Sequence, residues 1–370
     1  MRLYSRDIEF IEYLCSLGDK ILYDTTREPL KKTCRSVRSL IKELTGKGVV
    51  FTVDISLASI GLGKLLTLIK GYVGFEELPL KYWVNTYFGI TSPYGVQVVY
   101  YYPLEHGYKF IQKQLERAFG NRVIATYNII DVERAKPNLK KYYNPVTGEF
   151  KYNWAEWIEK IKEYTRNPKQ PKRVTYRYKP QDWIDLYIVK ELEKGALFTF
   201  KGLAEKLHVS TVTVTKHYEL HVRGKIIRRV IPVLTKLYNS DKYRQYNTVM
   251  TCHDKRILYS IAKLLLELPI TIAVAYTRDM KTIITQTAVP SKMLPEYLTL
   301  LREIEKQGIT IERDYEITTA FYKRYTIPYT NYNPITGRWV KYAHETEEYH
   351  KRQETTRNLG RRVDTLIKKT

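Results

Sequence analysis

Tyr143-Asn144-Pro145-Val146-Thr147-Gly148 returns as Tyr332-Asn333-Pro334-Ile335-Thr336-Gly337, and this recurrence decides how the chain is organised. Asn, Pro and Gly in such a phrase mark a turn wherever they occur. A turn repeated after two similarly patterned segments marks a duplicated unit. The two Asn residues are 189 positions apart, and the glycines that close two similar helices, Gly120 and Gly308, are 188 apart. Two independent landmarks therefore share one period.

Working outward from the phrase, each unit opens with short helical patterns. In the first, Ile8, Ile11, Leu14 and Leu17 mark one helix face, and the segment from Thr25 to Lys32 is a poor helix. Val37, Ile41 and Leu44 then mark a further helix that Gly48 ends, and Val49 to Val53 reads as a strand. The second unit repeats the plan. Trp183, Leu186 and Val189 open a helix, Leu203 to Leu207 forms another, and Thr213 to Leu220 a third. Gly224 precedes the basic strand Ile226 to Ile231. Helix, helix, turn, helix and strand is the winged helix-turn-helix plan.

A β-α-β-β-α-β pattern follows each time, as in a ferredoxin-like domain. In the first unit it runs through strand Leu65 to Val73, helix Leu78 to Phe88, strands flanking Ser92 to Gly95, the helix ending at Gly120, and strand Val123 to Ile130. In the second it runs from Tyr246 to Ile317. The expected fold class is α+β, a tandem duplication of a winged helix-turn-helix followed by a ferredoxin-like domain. The expected boundaries are 1–60 and 61–135 for the first pair, 136–180 for the phrase, a helix and a basic linker, 181–240 and 241–320 for the second pair, and 321–370 for the second phrase and a basic tail. The strand Val96 to Tyr102 is apolar or aromatic on both faces, and Ile270 to Tyr276 poses the same problem. Each sheet is therefore expected to cover the other, as an intrachain pseudo-dimer.

At 370 residues, two or more domains are expected. The 62 Lys and Arg against 39 Asp and Glu leave a formal charge of +23, which points to a polyanionic partner. Much of that charge sits between Lys160 and Lys179 and between Lys351 and Lys369. No stretch reaches the roughly 20 apolar residues of a membrane span, and the first ten residues lack a signal peptide's apolar run. Cys15, Cys34 and Cys252 suit no metal-ligand spacing and read as reduced thiols. A cytoplasmic, nucleoid-associated location is expected, and the 33 Tyr with abundant Lys and Ile suit an archaeal thermophile.

The helix after each turn carries the sharpest chemistry, because a helix in the major groove reads base edges with its outward residues. Arg35, Ser36, Arg38, Ser39 and Lys42 are the first set; Ser210, Thr211, Thr213, Thr215, Lys216 and His217 are the second. Arg228 and Arg229 would extend the second wing to the DNA backbone. His217 and His221 have a spacing that can bind zinc, but no third ligand is near in sequence. No catalytic set, metal site or cofactor is expected.

The stretch from Val37 to Val50, with its helix and Gly-hydrophobic exit, resembles the recognition helix and wing of the leucine-responsive/asparagine-synthase regulator (Lrp/AsnC) family, and Ser210 to Leu220 resembles the same helix. The resemblance spans about residues 1–130 and 181–317. It implies assembly through the sheets, so further copies of the chain are possible partners, and an effector whose identity is unknown. The expectation is a non-enzymatic, double-stranded DNA-binding regulator or chromatin-organising factor acting as a fused dimer. A replication or plasmid initiator with tandem winged helices is the alternative. An RNA-processing endonuclease using His106, His217 or Tyr residues is a further one.

Overall fold

In a computed structural model of the chain, the residues described are 3–16, 18, 34–91, 94–136, 138–171, 180, 182–195, 199–234, 242–333 and 336–340. Helices α1 (Ser5–Ser16) and α2 (Cys34–Gly46) lead into β1 (Val49–Ile55), β2 (Leu62–Lys70), β3 (Val84–Thr91) and β4 (Tyr94–Pro103). Helix α3 (Lys109–Phe119), β5 (Val123–Arg134), the one-turn α4 (Leu139–Tyr142), β6 (Tyr143–Asn144), β7 (Glu149–Phe150) and α5 (Trp154–Arg166) follow. Then come α6 (Trp183–Lys194), α7 (Phe200–Leu207), α8 (Thr211–His217), β8 (Ile227–Leu234), β9 (Tyr243–Thr251), α9 (Lys255–Glu267), β10 (Thr271–Thr277) and β11 (Thr282–Pro290). The described part closes with α10 (Leu294–Glu305), β12 (Thr310–Arg324), β13 (Tyr332–Asn333) and β14 (Arg338–Trp339).

The protein is thus α+β, with one large antiparallel sheet. Eight strands close it into a barrel in the order β10-β11-β9-β12-β3-β4-β2-β5. Strands from the two chain halves meet at two joints, β5 with β10 and β3 with β12. Closure removes the open edges of both halves and gives each apolar strand face something to cover it. Alternation explains the packing along β2: Leu65 and Ile69 face the large core beneath the helices, while Leu66 and Leu68 face inward. Leu66, Leu68, Ile90, Val99, Tyr127, Ile129, Val249, Ile284, Tyr315 and Ile317 form that interior cluster.

Two expectations need correction. Residues 78–88 form no helix; short 3-10 turns at Phe75–Glu77 and Lys81–Trp83 lead directly into β3. Pro79 and the run of aromatic and β-branched residues from Tyr82 to Phe88 favour strand, and pairing with both β4 and β12 fixes it. The segments read as wings are not free either. β1 and β8 pair with each other from Val49↔Leu234 to Ile55↔Ile227 and pack beside the barrel.

The repeated phrase forms two matching hairpins, Tyr143↔Phe150 with Asn144↔Glu149, and Tyr332↔Trp339 with Asn333↔Arg338. Its composition follows from this geometry. Asn144 Oδ1 accepts from Val146 N and Asn333 Oδ1 from Thr336 N, while Gly148 and Gly337 hold φ of +74° and +63°. Tyr143 Oη accepts from Leu3 N, just before α1, and Tyr332 Oη donates to Pro180 O, shortly before α6. Each hairpin clamps the entry to one helical segment. The Trp339 indole also packs against Trp83 and donates to Ile60 O at 2.7 Å.

Candidate functional site

A cavity of about 540 Å³ opens inside the barrel, walled by residues from all its strands and closed at one end by Ile231, Pro232 and Val233 of β8. That is the size of a small-molecule site. Most of its wall is apolar, and Leu66, Val99, Ile129 and Ile284 belong to the interior cluster. Phe88 and Tyr322 stack beside it, with ring centroids 4.9 Å apart and planes inclined by 29°. Buried amides form the polar wall, where Gln97 Oε1 accepts from Asn247 Nδ2 at 2.7 Å and from Tyr315 Oη at 2.6 Å.

Three cations converge on the same lumen: Lys64 of β2, Arg134 at the end of β5 and Arg324 at the end of β12. The two arginines come from the two joints of the barrel. Arg324 follows a register shift between Thr318 and Lys323, and such an irregularity re-aims the side chains beyond it. Desolvation drives Lys64 down to about 7; Glu193 opposes the shift, while Arg324 and Arg134 reinforce it. Desolvation and the Arg324 charge likewise bring Arg134 down to about 10. Among the described residues, no carboxylate is within ion-pair distance of any of the three. Arg324 is exposed; desolvation works against its charge, but Tyr322, Glu193 and Tyr101 outweigh it and hold the guanidinium above its ordinary value. Clustered cations in a low-dielectric wall favour an arriving anion.

A second cleft of about 630 Å³ also carries lysines. There, however, Lys141 and Lys160 pair with Glu156, Lys136 with Glu12, and Lys263 with Glu133. Five of its six cations, Arg229 included, thus already have a carboxylate partner, so the lumen is the stronger site.

Several residues expected to read DNA have other partners. Arg228 bonds Asp131, and Arg229 reaches Asp54 at 3.4 Å and Arg134 O at 2.8 Å, so both hold the β8 segment against the barrel. His217 Nδ1 turns inward to Asp185 Oδ1 at 2.8 Å. Ser210 caps α8 by accepting from Thr213 N, and Thr215 Oγ1 donates to Thr211 O. Ser39, Lys42, Thr211 and Lys216 are exposed, while Thr213 is half-buried. The side chains of Arg35, Ser36 and Arg38, the segment Thr25 to Lys32, the linker 172–179 and the tail 341–370 lie outside the described residues. His106 bonds Trp339 O at 3.1 Å. Among the described residues, no helix is long and apolar enough to cross a membrane.

Asp54 carries a testable charge beside the lumen. Burial raises its carboxyl to about 6 against nearby Arg228, Arg229 and Arg134. The native state therefore holds a proton that the unfolded chain releases near 4, and stability falls as pH rises from about 4 to about 6. Asp54→Asn is expected to raise stability at pH 7 by on the order of 1–3 kcal/mol and to flatten that pH window. Thermal melts at pH 4.5 and 7 check it; a loss at pH 7 would count against the assignment.

Neither a protein-family profile nor a curated protein sequence matches the chain. Among solved structures, the siroheme decarboxylase NirDL superposes with a TM-score of 0.50 at 10% identity, over 94% of this chain and 99% of that one. The same decarboxylase in complex with an iron-uroporphyrin III analogue gives 0.48 at 11% identity, over 87% and 94%. The fold is therefore similar to that of NirDL. This overturns the expectation of a non-enzymatic DNA-binding regulator or chromatin factor, because the neighbour that spans almost the whole chain is an enzyme. Double-stranded DNA loses its support as a partner, and neither the initiator nor the endonuclease reading gains any.

Proposed function

We propose that the chain is an enzyme acting on a polycarboxylate substrate with a broad apolar body, of the tetrapyrrole class, held in the barrel lumen, and that the reaction is a decarboxylation. The observation that carries this reading is the group of Lys64, Arg134 and Arg324, which has no paired carboxylate among the described residues and faces an apolar and aromatic cavity. The fold likeness to a siroheme decarboxylase supports the substrate class, since siroheme is a tetrapyrrole edged with carboxylates.

The geometry divides the work. Arginine forks are suited to holding carboxylates that do not react, because charge-assisted pairs fix orientation. A reacting carboxylate is better placed against Leu66, Val99, Ile129 and Ile284, where removal from water raises its energy. Loss of carbon dioxide leaves an electron pair on carbon, and one proton must replace the carboxylate there. Lys64, at about 7, can hold and release a proton near neutrality. Phe88 and Tyr322 offer faces to a planar ring.

The architecture is read in the same way, as two winged helix-turn-helix segments, each followed by a ferredoxin-like segment, fused in one chain. The matched hairpins, and Tyr127 and Ile129 facing the lumen with Tyr315 and Ile317 188 positions later, support that reading. Such a fold is compatible with assembly of further copies.

The test is a titration of the full chain with siroheme, followed by the ligand's visible absorption, together with mass spectrometry of the products. Saturable binding and release of carbon dioxide are expected; no binding would reject the reading. Because an incoming carboxylate draws a proton onto Lys64, affinity should fall as pH rises above about 7, by at most about tenfold per pH unit. Lys64→Met should remove this dependence, and a pH profile unchanged in the variant would reject the role of Lys64.

A further inference from the structure

We propose that Asp185, His217 and His221 form a divalent-metal site, best matched by zinc, that fastens together the helices of the second helical segment. Asp185 is the third residue of α6 and fully buried. His217 ends α8, and His221 lies in the π-helical turn Tyr218–Val222 that continues it. Such wide turns recur at functional sites, and this one keeps the two imidazoles on one face. The rings stand 5.1 Å apart at 90°, and both aim Nδ1 at Asp185 Oδ1, at 2.8 and 3.1 Å.

One candidate ligand atom from each residue lies within 4.8 Å of the other two. Zinc bonds of about 2.0–2.1 Å in a tetrahedron place ligand atoms roughly 3–3.5 Å apart, so a small opening of the rings admits the ion. Two imidazoles and a carboxylate are a donor set that zinc accepts, with one position left for water or for Asp182, whose Oδ1 is 3.6 Å from His217 Nδ1. The histidine side chains are 16% and 23% exposed, which leaves an entry path.

The first helical segment supplies the contrast. Asp7 is likewise the third residue of α1 and buried, and it receives an ammonium, Lys47 Nζ, at 2.7 Å. Where the first segment sets a fixed positive charge on its buried carboxylate, the second sets two metal-ligating rings. An ammonium can only donate, whereas two imidazole nitrogens beside a carboxylate can share a cation with it.

The experiment uses the untagged full chain, stripped with a chelator and titrated with cobalt(II). Uptake of a single equivalent with the visible bands of tetrahedral cobalt, displaced by zinc, is expected. Zinc at a hundred times its Kd should raise Tm by about 3 °C. His221→Gln and His217→Ala should each abolish both signals while keeping the parent's circular dichroism. Absence of uptake, or uptake by either variant equal to the parent's, would overturn the site. None of these readouts depends on turnover or on siroheme binding, so the proposed function can fail without this inference failing.

Discussion

Arg134→Ala is expected to weaken siroheme binding by about 30- to 4,000-fold, with Arg324→Ala in the same range. The estimate follows from the 2–5 kcal/mol that removal of one partner from an enclosed charged pair typically costs. What distinguishes a binding role from a structural one is the sign of the accompanying stability change. Desolvation and the neighbouring Arg324 already disfavour the Arg134 charge in the ligand-free protein. Its removal should therefore leave Tm unchanged or raise it while binding collapses, the opposition expected where function holds a site in an unfavourable state. The backbone carbonyl that accepts from Arg229 remains in the variant. Calorimetric titration beside a thermal melt reads both quantities. A fall in Tm with affinity preserved would assign Arg134 to the scaffold.

Trp339→Ala should be the most destabilising of the substitutions considered, by about 3–5 kcal/mol. The indole is 4% exposed, sits between Trp83 and Tyr332 and donates to Ile60 O, so its loss combines a cavity with a buried acceptor left unsatisfied. For a chain of this length the shift in Tm should be about 4–6 °C if unfolding is cooperative. Val146→Ala in the other hairpin provides the control, since Val146 is 73% exposed and should change stability by less than about 0.5 kcal/mol. Equal effects from the two variants would refute the clamp.

Local chemistry wrote much of this structure into the sequence. The phrase announced its own turns through Asn-Pro and a Gly at positive φ, while the hairpins those turns close were set by strand pairing. The two-faced strand from Val96 to Tyr102 signalled that something covers both faces, and barrel closure supplies it. The strand at Val84–Thr91 is hard to tell from a helix by its apolar residues alone, and only its pairing with β4 and β12 fixes it. The lumen was illegible for a different reason. Lys64, Arg134 and Arg324 come from three strands far apart in sequence, and only closure brings them together. A basic composition in which most of the charge lies elsewhere on the surface conceals three cations that line one cavity. Likewise His217 and His221 were visible as a pair, but their carboxylate stands 32 residues upstream of His217, on another helix.

The barrel's two halves give it walls that correspond without being identical. Inside, Tyr127 and Ile129 are echoed by Tyr315 and Ile317, but Lys64 and Leu66 on β2 stand where β9 presents Gln245 and Asn247. An assembly of identical subunits would show a guest the same wall twice and could not tell one edge of a near-symmetric ring from the other. Fusion lifts that degeneracy. A macrocycle entering this lumen would meet Lys64 and Leu66 on one half and Gln245 and Asn247 at the matching places of the other, and so would be seated in a single orientation. Regioselectivity among chemically similar side chains of one substrate is thus a property that a covalently joined barrel can acquire through single-site changes.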